Sequence, residues 1–507
     1  MLLSAVCFIT GVLALLLVRR YRKLKSLVGL YGPPPSSYLA GHFKHMFGLH
    51  GIDFQLEVLR KYGPTVGMTG VMGEPFILTF DPGFIHTVLV RERSKFERNE
   101  GGTLMVRSMF GGGLLGFRGD EHRCLTQFLR YNIFANVSSN ISLPSLSTDT
   151  SLTVLPVFTD VAKQACRAID QSLSTEVNDV FQWSTAAALE FIGEAGLGYS
   201  FGSFSGETNE YSVASKSVFQ LFAKLVPFIP LYPYLYRLPI TPELLSYVPF
   251  PLLQQVLKAT KLQNDQAEQI LRKRKDLLER GVDLESVTGR GKDILTQLSN
   301  SVIARILDVV AHDTNIQDKM REELLENKDK DTLELPYLDA VVKETLRLYP
   351  PVTYLGRVCE EDTVVPLIYP ISTPSGTTTN LPVKKGTRLA LSVVFSNRDE
   401  SVWGKRASEF WPERWLETEQ QQTHSHLQGI YSSIRMTFGL GQYSCIGFKF
   451  AVMEIKVMTS QLLKSFRFEP SGEDYAWENA GVQSPYLAKE RKEPTRVPKL
   501  PLKVSRL

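Results

Sequence analysis

Two different spacings of apolar residues run along this chain. The segment DFQLEVLRKYGP, starting at Asp53, places apolar residues at helical intervals and stops at Gly63 and Pro64, and TVGMTGVMGEPFILTF after it alternates, with glycine breaks. The first predicts an amphipathic helix closed by its Gly-Pro pair, and the second predicts short half-buried strands. FQWSTAAALEFIGEAGLGY, Phe181 to Tyr199, is apolar around most of its circumference and predicts a buried helix. LLQQVLKATKLQNDQAEQILRKRKDLLERG, from Leu252, predicts a long amphipathic one. Toward the carboxyl end TVVPLIYPISTPSGTTTNLPVKKGTRLALSVVF combines β-branched residues with turn signals. Together these elements predict a mainly α fold with small β-sheets and no internal repeat.

Two stretches fall outside this pattern. LLSAVCFITGVLALLLV, Leu2 to Val18, is uncharged and apolar, and as a helix at about 1.5 Å per residue it reaches about 26 Å, just enough to cross a bilayer. RRYRKLK, Arg19 to Lys25, follows at once, then GPPP at Gly32 to Pro35. Positive charge stays on the cytoplasmic side, so the expectation is a single-pass anchor over residues 1–18, a basic and proline-rich hinge over 19–35, and a body over 36–507 facing the cytosol. A cleaved signal peptide would carry its charge before the apolar run. The second stretch, NVSSNISLPSLSTDTSLT at Asn136 to Thr153, is crowded with Ser and Thr, lacks helical period and predicts a surface loop or insert. Its two glycosylation sequons would stay bare on the cytosolic side.

Composition narrows the function. A net charge of +4 spread over 507 residues, with its basic cluster beside the apolar run, argues against nucleic acid as a partner. The five cysteines, Cys7, Cys124, Cys166, Cys359 and Cys445, are scattered and odd in number, which fits neither a disulfide framework nor a zinc site. A reducing compartment follows.

Three motifs could carry chemistry. In MTFGLGQYSCIGFKFA, Met436 to Ala451, glycines 439, 441 and 447 permit a tight turn, and Cys445 precedes an apolar helix, a position that favours thiolate. In KETLRLYPPV, Glu344 and Arg347 share a helical face at i and i+3 before a proline pair; alone, the commonest meaning of such a pair is a solvated salt bridge. FWPERW, Phe410 to Trp415, adds Arg414.

In this order and spacing the three motifs resemble the cytochrome P450 family, the haem-thiolate monooxygenases. Phe438, Gly441, Cys445 and Gly447 match the family's Phe-x-x-Gly-x-x-x-Cys-x-Gly loop, and Glu344, Arg347 and Arg414 match its buried charge triad. GEAGLGYSFG, IQDKMREEL, LPYLDAVVKE, GRV and SNRDESVWG also look like microsomal, particularly fungal, members, so the resemblance covers most of the chain and makes the body one large domain. It implies haem (heme; iron protoporphyrin IX) with Cys445 as axial thiolate and metal ligand, and it nominates Arg357, His122 and Tyr443 beside Phe438, Gly441 and Gly447 as cofactor-binding residues. It further implies NADPH-cytochrome P450 reductase, O2, membrane lipid and an apolar small molecule as partners. The expected activity is insertion of one oxygen atom into such a molecule, a terpenoid-like secondary metabolite by analogy with fungal members, on the cytosolic face of the endoplasmic reticulum membrane.

The chain departs from the family in three places. Tyr443 stands where relatives carry Arg or His to hold a propionate, and a phenol supplies no charge. Thr126 stands where an arginine follows His122, and the text from Cys124 to Leu152 is unlike the family, as a misread splice junction would leave it. The Ala-Gly-x-x-Thr kink of the long distal helix is missing: GKDILTQLSNS resembles the approach to that helix and VIARILDVVAHDTNIQDKMREE its last turns and the next helix. On the order of thirty residues, about 45 Å of helix, are lacking near Ser301. Asp313 and Thr314 in AHDT read as helix-cap residues, not as a substitute relay, and Glu454 reads as a helix-face charge. The missing segment supports the alternative of a degenerate or mis-spliced relative, or a non-catalytic haem binder.

Overall fold

The computed structural model describes residues 30–133, 148–204, 232–237, 251–279, 293–416 and 436–507, apart from short breaks, with isolated positions elsewhere. In chain order the longer elements begin with α1 (Gly51–Tyr62), β1 (Thr65–Thr69), β2 (Pro75–Thr79), β3 (Phe96–Glu97), α2 (Glu100–Phe110), α3 (Gly119–Ile133) and α4 (Thr148–Ser172). There follow β4 (Val177–Asp179), α5 (Val180–Phe191), α6 (Pro251–Glu279), α7 (Asp293–His312), α8 (Thr314–Glu326) and α9 (Pro336–Leu348). The remainder comprises β5 (Tyr354–Cys359), β6 (Thr363–Thr373), β7 (Gly376–Val383), β8 (Arg388–Ser392), α10 (Phe448–Ser465), β9 (Phe466–Pro470), β10 (Tyr475–Asn479), β11 (Gln483–Leu487) and β12 (Pro501–Arg506). The helices and strands expected at the quoted segments are present, and helix dominates.

The chain forms two compact units. One gathers Met1–Asn99, Thr353–Asp399 and His426–Tyr443 around a five-stranded sheet of order β1-β2-β8-β5-β3. All its pairings are antiparallel except β2 with β8. The alternation read in the sequence buries Val66, Met68 and Leu78 against Val58 and Leu59 of α1, a contact worth about 1.5–3 kcal/mol for each large side chain fully removed from water. At the far edge the two-residue strand β3 pairs with β5, setting Glu97 opposite Val358, next to Arg357.

The other unit gathers Glu100–Val352, Glu400–Ser425 and Ser444–Leu507. Its core is α7, whose Val302, Ile303, Ile306, Leu307 and Val310 are buried, packed against α5 and α10. The sheet β4-β12-β9 and the hairpin β10-β11 flank it. α7 runs unbroken through Ser301, so the two sequence pieces that meet there are joined as one helix.

No helix among the described residues is long and apolar enough to cross a membrane. The expected anchor lies outside the described residues except for Leu15 and Val18, both helical and exposed. The Ser/Thr-rich stretch lies outside them as far as residue 147, but its end is not loop: α4 begins at Thr148 and carries Pro156 inside it. Phe158, Val161, Ala162, Ala165 and Ile169 form a buried seam on that helix, and propagation from a packed seam outweighs the poor propensity of Ser and Thr.

Candidate functional site

The charge triad is built on α9. Pro336 at the first turn starts the helix, and its apolar positions bury one face so deeply that Glu344 and Arg347 are buried with it. The solvated reading of the isolated pair is therefore wrong. Arg347 donates to both Glu344 oxygens, Nε to Oε2 at 2.9 Å and Nη2 to Oε1 at 2.8 Å. Arg414 Nε adds a bond to Oε1 at 3.1 Å, and Trp411 N and Trp415 Nε1 donate at 2.9 and 3.0 Å. Four further guanidinium N–H groups reach the carbonyls of Trp403, Arg406, Ala407 and Glu409. Charges this deep are tolerable only when so fully hydrogen-bonded, and the bonds to four carbonyls fix the irregular segment between residues 403 and 415.

The cysteine loop follows from its glycines. Gly441 has φ +71°, and a Cβ there would stand 1.9 Å from the Leu89 carbonyl oxygen, so no other residue fits. Thr437 accepts from Asn397 Nδ2 at 3.1 Å, and Phe438 beside it is half-buried. In the other unit, Cys445 sits just ahead of α10, which Gly447 caps, and the Gly447 N–H donates to its sulfur. The helix terminus predicts a preference for thiolate; of the influences on this sulfur burial is the largest and pushes the thiol up, while the Gly447 N–H draws it down.

Arg357 and Tyr443 come together as nominated, with two residues the sequence did not single out, Glu97 and Arg98. The Arg98 and Arg357 guanidiniums lie 4.1 and 5.0 Å from the Tyr443 ring centre. Burial holds both below the usual arginine value, each at about 10, and in Arg357 repulsion from Arg98 adds to it. Arg98 Nη1 is buried without a hydrogen-bond partner among the described residues. The available signal was FERN at Phe96 to Asn99, a charged tetrapeptide after a buried aromatic, too common to single out. His122 lies in the other unit, buried on α3, with Thr126 Oγ1 3.4 Å from its Nδ1 and bonded to its carbonyl at 2.7 Å.

The cytochrome P450 family model matches residues 32–301 and 299–482. Cytochrome P450 monooxygenase 91 of Postia placenta is 32% identical over 525 residues, covering 94% of this chain and 93% of the relative. Cytochrome P450 monooxygenase 81 of the same fungus is 31% identical over 98% of this chain and 96% of its own, and a ganoderic acid synthetase of Ganoderma lucidum is 30% identical over 94% of each. The chain belongs to the cytochrome P450 family.

As a cytochrome P450 it is an oxidoreductase whose cofactor is haem, and O2, an electron-donating reductase and a substrate follow from the family. The residues present fit that cofactor. Taken unit by unit, one carries two buried guanidiniums suited to carboxylates, Arg98 with an N–H unpartnered among the described residues, and the other carries a partly buried sulfur that accepts a backbone N–H.

The P450 match falls into two pieces that meet and overlap at residues 299–301, where the sequence predicts a missing distal segment, and the alignment to the first relative is longer than this 507-residue chain. At that break Asn300 Nδ2 donates to Thr185 Oγ1 at 2.6 Å, Ser301 donates to the Gln483 carbonyl at 2.5 Å, and Ser299 pairs with Glu454, while Asn300 Oδ1 is buried without a partner among the described residues. Glu454 is thus no solvated helix-face charge. It is buried, with one oxygen unpartnered among the described residues, and burial raises its carboxyl far above the usual range. Asp313 is the cap of α8, accepting from the N–H groups of Asn315 and Ile316 at 3.1 and 3.2 Å, with Thr314 the first helical residue.

Proposed function

We propose that this cytochrome P450 is a membrane-attached monooxygenase that inserts one oxygen atom from O2 into an apolar small molecule. Bound haem supplies the oxygen chemistry; the chain binds, orients and insulates it. In this reading Cys445 would hold the haem iron through its sulfur, and the Gly447 N–H bonded to that sulfur would temper its basicity. Arg98 and Arg357 meet the propionates, while Phe438 and Gly441 shape the loop. Glu344, Arg347 and Arg414 brace the segment that leads to it. The observation that supports this most is the sulfur of Cys445 held by Gly447 at the start of α10, inside a chain that matches the family on both sides of it.

The substrate class rests on the relatives, one of which is named for ganoderic acid synthesis; a terpenoid-like fungal metabolite is the corresponding proposal. The apolar run at Leu2 to Val18 and the basic cluster after it support, as part of this proposal, an anchor in the endoplasmic reticulum membrane with the body in the cytosol and NADPH-cytochrome P450 reductase as electron donor. The deciding experiment is the carbon monoxide difference spectrum of dithionite-reduced membranes carrying the full chain. A red-shifted Soret band that Cys445→Ser abolishes is expected. Absence of the band from the parent chain overturns the reading in favour of a relative that holds no haem, and a band without product in reconstituted turnover favours a non-catalytic haem binder.

A further inference from the structure

Tyr443 has one hydroxyl hydrogen, and it is already committed. The phenol donates to Glu97 Oε2, and Gln442 Nε2 donates to the other oxygen, Oε1, at 3.1 Å. Two successive side chains of the cysteine loop are therefore held by one carboxylate on β3, which leaves the Tyr443 hydroxyl with nothing to donate to a ligand. Its ring is not idle. Both buried guanidiniums rest against it, at 4.1 and 5.0 Å. Two cations that repel each other and are held from water stay together only where something compensates, and here an aromatic ring and the Glu97 carboxylate do so. Arg357 is oriented further by Nη1 donating to the Gly356 carbonyl at 2.7 Å.

We infer that Tyr443 is a positioning residue for the dianionic edge of the porphyrin: clamped by Glu97, its ring holds Arg98 and Arg357 as a preformed pair of cations, so that carboxylate charge is met by those arginines and not by residue 443. This rests on the propionate reading above and adds to it how a chain without a cation at this position still presents two. Because Glu97 is itself negative, removing it alone mixes lost clamping with relieved repulsion. A double-mutant cycle separates the two.

The test uses the full chain stripped of haem, with iron-free protoporphyrin IX and its dimethyl ester as fluorescent probes, so that neither iron ligation nor turnover enters the readout. The parent is expected to favour the diacid over the diester, and Arg98→Ala or Arg357→Ala to lose that preference. Tyr443→Leu should weaken diacid binding by on the order of tenfold, as expected for hydrogen bonds and ring contacts to charged groups, and leave the diester unchanged, whereas general loosening of the fold would weaken both. Tyr443→Phe keeps the ring and folds conservatively. In a cycle with Glu97→Gln, the two changes should be non-additive for the diacid by about fivefold and additive for the diester. Additivity for both probes, with the arginine variants still losing the preference, overturns the role of Tyr443 and leaves the propionate reading standing. If the parent does not discriminate the probes, or the arginine variants keep the preference, the propionate reading fails and this proposal with it.

Discussion

Arg347 closes a two-point fork on Glu344 one turn earlier on α9, with bonds of 2.9 and 2.8 Å and neither side chain exposed to water. A surface pair of this spacing contributes about 0.3–0.5 kcal/mol. This one also anchors Arg414, two tryptophan N–H groups and four carbonyls of residues 403–409.

Removing one partner leaves buried charge uncompensated. Glu344→Ala is expected to cost about 3–5 kcal/mol, read as a lower urea midpoint with unchanged slope, and to reduce the yield of haem-loaded protein. Arg347→Lys should lose most of the same stability, since an ammonium cannot make the planar fork. A variant within 1 kcal/mol of the parent would show that the triad does not brace the fold.

Gly441→Ala tests the cysteine loop without touching its sulfur. The new methyl would have to displace the Leu89 carbonyl from 1.9 Å and adopt φ +71°. Left-handed strain alone costs about 1–2 kcal/mol, and the backbone clash adds to it. The expected outcome is a smaller share of the carbon monoxide complex absorbing at the thiolate position and a larger share at the unshifted one. An unaltered spectrum would show that the loop tolerates a side chain there.

What the sequence made legible was what depends on neighbours in the chain. α1, the β1–β2 pair, the β6–β7–β8 region and the cap at Asp313 follow from periodicity and turn residues within a short window. Glu344, Arg347 and Arg414 could be grouped because their motifs are spaced in a known way, but their burial could not be seen from any one of them. Arg98 was hidden for a physical reason: its partners Arg357 and Tyr443 are hundreds of residues away, the first brought near by the pairing of β3 with β5 and the second by the Tyr443 bond to Glu97. Glu454 looked like a solvent charge because a single acid on an amphipathic helix usually is one, and only the packing of α7 against α10 buries it.

That burial has a pH consequence. The folded carboxyl of Glu454 titrates well above its ordinary value of 4.5 because desolvation disfavours its charge. The native state then binds a proton that the unfolded chain releases, so this group's contribution to stability is full below the unfolded value and declines as pH rises above it, until the folded group titrates too. Glu454→Gln removes the titration. Its unfolding free energy should fall less steeply than the parent's between pH 5 and pH 7, with the two curves converging in shape below pH 4. Parallel curves across that range would show that Glu454 is ionised in the fold.

The final prediction concerns the break at residues 299–301. Both flanks match the family, and α7 passes through the junction as a continuous helix pinned by Asn300 to Thr185 and Ser301 to the Gln483 carbonyl. The helix is continuous there, but its sequence DILTQLSNSVIARILDVVAH holds no Ala-Gly-x-x-Thr pattern, the pattern that the resemblance to the family implies for proton delivery. Oxygen activation without controlled proton delivery and water exclusion leaks as peroxide. Grafting the corresponding segment of the Postia placenta relative between Asn300 and Ser301 should leave the carbon monoxide spectrum unchanged, because Cys445 and its loop are untouched. Peroxide released per NADPH consumed should fall severalfold and product per NADPH rise. If the ungrafted chain already couples electrons to product as well as the graft does, α7 as it stands shields and supplies the oxygen chemistry by another route.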